Sequence, residues 1–155
     1  MATREYVVKV EDNGDTRWHQ KQLDGKLLLH RENDLPAIEY ANGNKYWLLN
    51  GQYHRDNGPA VEYADGTKFW YQNGQYHRDN GPAIECANGH KYWYKSGKLH
   101  RDNGPAMEYP DGYKAWYLNA IQYTETEHLA KTKPVDPCAN KTIEIEGKKY
   151  KLTPV

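Results

Sequence analysis

Apolar and polar positions alternate along this chain in short bursts, and the bursts return at a fixed interval. In "KFWYQ" (68–72) and "KYWYK" (91–95) aromatic residues stand between polar ones. In "GPAVEY" (58–63) and "GPAIEC" (81–86) aliphatic and acidic residues take turns. Period-two alternation rich in aromatic and β-branched residues predicts strands of five to eight residues. Read as helix, the same stretches would hold Gly and Pro in every segment, at roughly 1 and 3 kcal/mol each. The alternation puts Trp70 on one face with Lys68 and Gln72, and Phe69 with Tyr71 on the other. Val61 and Tyr63 part in the same way from Ala60 and Glu62.

Turn signals separate the bursts. Asn-Gly at 50–51 and 73–74 and Ser-Gly at 96–97 close one tight hairpin per interval, and Asn-Gly or Asp-Gly at 42–43, 65–66, 88–89 and 111–112 close another. Such dipeptides accept the positive φ of hairpin turns. The interval is 23 residues: it separates Trp47, Trp70, Trp93 and Trp116, and equally Pro36, Pro59, Pro82 and Pro105. One unit reads "DGTKFWYQNGQYHRDNGPAIECA" (65–87). The first copy is irregular, since "LHRENDLPA" (29–37) carries one extra residue between His30 and Pro36. A half-unit precedes it, with "NGDTRW" (13–18) setting Trp18 four residues after its Gly.

The expected fold is therefore all-β: an elongated antiparallel meander of tandem 23-residue β-hairpin repeats, forming a single twisted sheet. Residues 1–29 read as an N-terminal capping hairpin and half-repeat, 30–122 as the repeats, and 123–155 as a C-terminal cap. In the cap, Thr124 and Glu127 form a capping-box pair, which predicts a short helix over the open edge that ends before Pro134. "KPVDPCAN" (133–140) reads as a stiff connector and "TIEIEGKKYKL" (142–152) as a final hairpin. Capped ends suit a repeat array, because a bare terminal strand invites aggregation.

A Gly, a Tyr/Trp run and then Asn-Gly, in hairpin units of this length, resembles the MORN repeat, and more closely its variant form. The resemblance spans about residues 13–122, and "HRDNGPA" departs from the usual pattern. It implies an elongated scaffold or partner-binding surface. Arrays of this "HRDNGPA" type resemble open reading frames of bacteriophage and large viruses, which implies an accessory protein that binds and blocks a host factor.

Composition narrows the chemistry. The chain of 155 residues has one Phe but 14 Tyr and 5 Trp, so its core is aromatic and thin. Lys plus Arg and Asp plus Glu balance at 21 each, which argues against a nucleic-acid partner, although Lys45, Lys68, Lys91 and Lys114 form a row. No stretch approaches the roughly 20 apolar residues of a membrane span, and the start of the chain lacks the apolar run of a secretion signal. A cytoplasmic protein without a membrane role is expected. Cys86 and Cys138 read as reduced thiols, and the Asn140 sequon as coincidence.

"HRDNGPA" at 54–60, 77–83 and 100–106 begins like a kinase catalytic loop but lacks every companion motif. An active site needs one constellation, and this triplet is repeated. The chain therefore reads as non-enzymatic, without a cofactor. Rows of His30, His54, His77 and His100 spaced near 10 Å do not converge on one ion, so no metal site is expected. Asp-Asn-Gly-Pro reads as a turn or bulge. Stacking is expected to bring Arg55, Arg78 and Arg101 to Asp56, Asp79 and Asp102 of neighbouring units, as a ladder that fixes the register. The candidate binding residues are the aromatic row Trp47, Trp70, Trp93 and Trp116 and the ladder His54, Arg55, His77, Arg78, His100 and Arg101. Another protein is the expected partner, and a glycan stacked on a Trp/Tyr ladder is the alternative.

Overall fold

A computed structural model of the chain describes residues 5–133, 142–145 and 148–151. Within them the protein is an antiparallel meander. One 12-stranded sheet runs in the order Tyr6–Val10, Thr16–Lys21, Ile38–Glu39, Lys45–Tyr46, Val61–Glu62, Lys68–Phe69, Ile84–Glu85, Lys91–Tyr92, Met107–Glu108, Lys114–Leu118 and Ile121–Tyr123, with Leu27–Leu29 joined to Thr16–Lys21. Separate two-stranded hairpins hang from it, one per unit: Leu48–Leu49 with Gln52–Tyr53, Tyr71–Gln72 with Gln75–Tyr76, and Tyr94–Lys95 with Lys98–Leu99.

One meandering sheet thus takes strands from every repeat, but three of the four aromatic runs are not single strands of five residues, and their second halves form small hairpins outside that sheet. Each of the runs at 45–49, 68–72 and 91–95 is two two-residue strands joined at its Trp, where the chain changes pairing partner, whereas Lys114–Leu118 passes unbroken through Trp116. Before Trp70, Lys68–Phe69 pairs with Val61–Glu62 and Ile84–Glu85. At Trp70 the N–H still donates to Ala83 O (2.8 Å), but the carbonyl accepts from His77 N–H of its own hairpin (3.1 Å). Beyond it the strand pairs with the hairpin return, and single bonds reach the preceding unit, with Tyr71 O accepting from Arg55 N–H (3.3 Å) and Gly74 N–H donating to Tyr53 O (2.9 Å).

The tight turns have both central residues at positive φ, as at Asn73 (49°) and Gly74 (75°), the primed geometry that suits strand twist. The last copy forces Ala120 into the same conformation at φ 68°. Ala120→Gly should therefore stabilise the chain by roughly 1 kcal/mol, read as a higher urea midpoint at unchanged slope.

Cross-strand register sorts the two faces. Ile38, Tyr46, Val61, Phe69, Ile84, Tyr92, Met107 and Ala115 are successive neighbours on one face. Glu39, Lys45, Glu62, Lys68, Glu85, Lys91, Glu108 and Lys114 succeed one another on the other, with alternating sign. Opposite charges across a pair favour this register and penalise a shifted one. On the apolar face Phe69 meets Tyr63 (5.3 Å between centroids) and Tyr76 (6.2 Å), and Tyr76 continues to Tyr71 (4.3 Å) and Tyr94 (5.2 Å). This spine ties the small hairpins to the main sheet and each unit to the next. Burial in it pushes the phenols of Tyr46 and Tyr92 up to about 12 and that of Tyr71 further up. The positions with no exposure at all include Ala37, Ala60, Ala83 and Ala106, so the interior is thin.

At the front, Tyr6–Val10 pairs with Thr16–Lys21, placing Val8 opposite Trp18. At the back, the helix Glu125–Thr132 begins at a capping box: Thr124 Oγ1 accepts from Glu127 N–H (3.3 Å) and Thr124 N–H donates to Glu127 Oε2 (2.9 Å). His128, given no role by the sequence, anchors this helix; it is fully buried and Nε2–H donates to Arg101 O (2.7 Å). Thr142–Ile145 and Lys148–Lys151 form the expected final hairpin. Residues 134–141 of the connector, and Cys138 within them, lie outside the described residues. No helix among the described residues is long and apolar enough to cross a membrane.

Candidate binding face

The HRDNGPA loops gather on the charged side of the sheet, beside the Trp positions. Alternation turns Trp70, Lys68 and Glu85 to that side, and the loop then returns Arg78 over the indole. The guanidinium carbon stands 3.8 Å from the Trp70 ring centroid, and the same stack recurs at Arg55–Trp47 (3.9 Å) and Arg101–Trp93 (3.9 Å). Arg31 over Trp18 (3.7 Å) begins the series one unit earlier than the predicted row. The second face of each guanidinium lies against the loop glycine. A Cβ on Gly81 would stand 3.0 Å from Arg78 Cζ, and one on Gly58 would stand 3.1 Å from Arg55 Cζ.

One arm of each fork is engaged as well. Arg78 Nη1 donates to Pro82 O (3.1 Å) and to Glu85 Oε1 (2.7 Å). Arg101 holds Pro105 and Glu108 in the same way, and Arg55 holds Pro59 and Glu62. The expected ladder from Arg to the Asp of a neighbouring unit is therefore corrected: Arg pairs with the Glu seven residues on, in its own unit. The loop Asp belongs to the His. Nδ1 of His77 accepts the N–H of Ser96 in the next unit's turn (3.1 Å), which leaves the hydrogen on Nε2, and Nε2–H donates to Asp79 (3.2 Å). His54 and His100 bond the N–H of Asn73 and Asn119 in the same manner. The inter-unit bolt is the imidazole, not the guanidinium.

One Arg does reach a neighbour. The extra residue in the first copy puts Asn33 (φ 61°) and Asp34 (φ 56°) in the left-handed region. Asp34 then turns to the next unit, where its carboxylate takes Nε (2.7 Å) and Nη2 (3.0 Å) of Arg55 and its carbonyl accepts from Trp47 Nε1 (3.0 Å). The Arg55 bonds hold the Asp34 carboxyl below its ordinary value, against a smaller opposing effect of burial. A depressed carboxyl contributes stability that is complete above the unfolded value near ~3.9 and is lost as pH falls through the folded value. Asp34→Asn should lower the urea midpoint at neutral pH, and the difference from wild type should vanish on acidification through that window.

The Trp row is thus not a bare platform. Trp47 is buried, and Trp18, Trp70, Trp93 and Trp116 are half-buried. Side-chain cover over Trp18, Trp47, Trp70 and Trp93 comes from the stacked Arg. Trp116 lies past the last Arg of the series, because Thr124 stands where that Arg would be.

Between successive loops open three clefts. The first, about 310 Å³, is walled by residues around His30–Asp34 and His54–Asn57. The second, about 410 Å³, lies between Arg55–Pro59 and His77–Asn80, and the third, about 400 Å³, between Arg78–Gly81 and His100–Asn103. Their His, Arg and Trp linings repeat, the first wall differs in carrying Glu32, Asn33 and Asp34, and one position 23 residues apart changes character from cleft to cleft: Leu49, Gln72 and Lys95. Among the described residues no group of three or more His, Cys, Asp or Glu side chains is placed to hold a metal ion. Cys86 is half-buried, and burial pushes its thiol up. No family model, curated protein or solved structure matches this chain.

The sequence missed Glu62, Glu85 and Glu108 as the Arg partners, the turn N–H groups as the His partners, and Asp34. The signal for the first was present: Glu keeps the 23-residue register as strictly as Arg.

Proposed function

We propose that this chain is a non-enzymatic binding module whose loop face engages another protein. The reading is carried by the three clefts: a preorganised frame of His, Arg and Trp holds an apolar, then a polar, then a cationic lining residue, Leu49, Gln72 and Lys95. A polymer of identical sugars or phosphates would be served by identical clefts. A polypeptide surface, which varies along its length, suits varied ones. Arg, Trp and Tyr are also the residues that concentrate at protein interfaces, and fixing them before contact lowers the entropy lost on binding. The cover of Arg over Trp counts against sugar stacking, the alternative reading. The resemblance to viral HRDNGPA arrays extends the proposal to an accessory role, in which the bound protein is a host factor held inactive.

Capture from bacterial lysate, with wild type beside Leu49→Asp/Lys95→Glu, tests this. A protein enriched by the wild type and lost with the double variant supports the reading. Enrichment that ignores the two substitutions, or glycan-array binding with no protein enriched, overturns it.

A further inference from the structure

The two ends of the main sheet are finished differently. At one, the helix Glu125–Thr132 lies against Lys114–Leu118 and Ile121–Tyr123. At the other, Tyr6–Val10 pairs only with Thr16–Lys21 among the described residues, so its outer edge is bare. The hairpin bonds tell which backbone groups that edge presents. Glu11 N–H donates to Asp15 O (2.9 Å) and Lys21 N–H to Glu5 O (2.9 Å). In an antiparallel pair, residues bonded to the neighbour alternate with residues that point away. Glu5, Val7, Lys9 and Glu11 therefore bond inward, and Tyr6, Val8 and Val10 direct N–H and C=O outward. The same three carry exposed apolar side chains, at 40%, 49% and 69%. Edge strands are ordinarily blunted by charge, Pro or a bulge, and none of these stands at the three outward positions.

We propose that this edge pairs with the same edge of a second copy of the chain, antiparallel about a two-fold axis through Val8. That register sets Val8 against Val8 and Tyr6 against Val10 of the second copy. Every outward-bonding residue then meets another, and each pair exchanges two hydrogen bonds. A shift by one residue would set outward groups against inward-bonded ones and satisfy none. The side chains agree with the backbone. Tyr6, Val8 and Val10 of both copies merge into one apolar strip, and on the opposite face each Lys9 lies diagonal to Glu5 of the second copy. Glu5 faces Glu11 across the axis, but each is already paired, with Lys21 and Arg17. The contact is isologous and closed, so it ends at two copies. It lies on the sheet edge and does not depend on the loop-face reading. One strand pair buries less than the ~1,200 Å² of a standard interface, so the dimer is weak and concentration-dependent.

Light scattering behind size exclusion, over a concentration series, tests this on the full chain. The wild-type mass should climb towards twice the monomer. Val8→Lys, which faces two ammonium groups across the axis, should weaken association by at least about tenfold with unchanged circular dichroism and thermal midpoint. Val8→Pro deletes an N–H the monomer does not use and should act alike. Amide exchange reads the register: Tyr6, Val8 and Val10 should gain protection only as concentration rises, while Val7 and Lys9 stay protected throughout. A wild type that remains monomeric, a dimer that survives Val8→Lys, or protection independent of concentration would overturn the proposal.

Discussion

Arg78→Ala lowers the free energy of unfolding by about 2–4 kcal/mol, read from urea denaturation followed by far-UV circular dichroism. The side chain is the hub of its unit. It covers one face of Trp70, and it supplies the hydrogen bonds of Pro82 O and the Glu85 carboxylate. Truncation strips the indole and leaves a carbonyl and a carboxylate without their donor, in a setting where the Arg side chain is only 29% exposed. The lost pair with Glu85 alone would count for little, since exposed ion pairs contribute about 0–1 kcal/mol. The size of the effect comes from several partners losing one group at once. Arg78→Lys keeps the charge but neither the plane nor the fork, and should recover less than half of the loss. A loss below about 1 kcal/mol for Arg78→Ala would mean that water replaces the guanidinium at little cost.

Gly81→Ala is expected to cost about 2–3 kcal/mol, by acting on the same group from the other side. Two effects add here. The new Cβ would press on the guanidinium at 3.0 Å, and Gly81 holds φ at 149°, where an L residue is strained. A double-mutant cycle separates them. With Arg78 already truncated, Gly81→Ala should cost only the strain, about 1 kcal/mol. Gly58, which is not at positive φ, presses on Arg55 at 3.1 Å, so Gly58→Ala isolates the crowding. Equal costs for Gly81→Ala in both backgrounds would show that the guanidinium moves aside freely.

The period, the turns and the sorting of faces were legible in the sequence because each is a local property. Asn73-Gly74 specifies its own turn, and alternation in "KFWYQ" separates Trp70 from Phe69 whatever the strand pairs with. The break at Trp70 was not legible, because it depends on where the flanking strands end. A five-residue run reads the same with one partner as with two. The Arg partner was misread for a related reason. Asp79 is adjacent in sequence and Glu85 is seven residues away, and only the return of the chain through Pro82 and Ala83 brings Glu85 under the guanidinium. His77 meanwhile takes Asp79. Asp34 was hidden because an extra residue in a loop announces irregularity but not its direction; two consecutive left-handed residues decided that. The Trp, His and Arg rows were thus legible in the sequence, while their partners and the cleft residues Leu49, Gln72 and Lys95 were not.

The bonds from His77 to Asp79 and to the Ser96 N–H carry a consequence for how such a chain lengthens. Beside the sheet ladder and the Tyr spine, each of these units grips the one that follows through an imidazole and a turn. A duplicated stretch of coding sequence would slot in with both of its seams already matched. The sheet can then lengthen by whole increments while the existing grips stay as they are, and the near-identical wording of successive copies fits such growth.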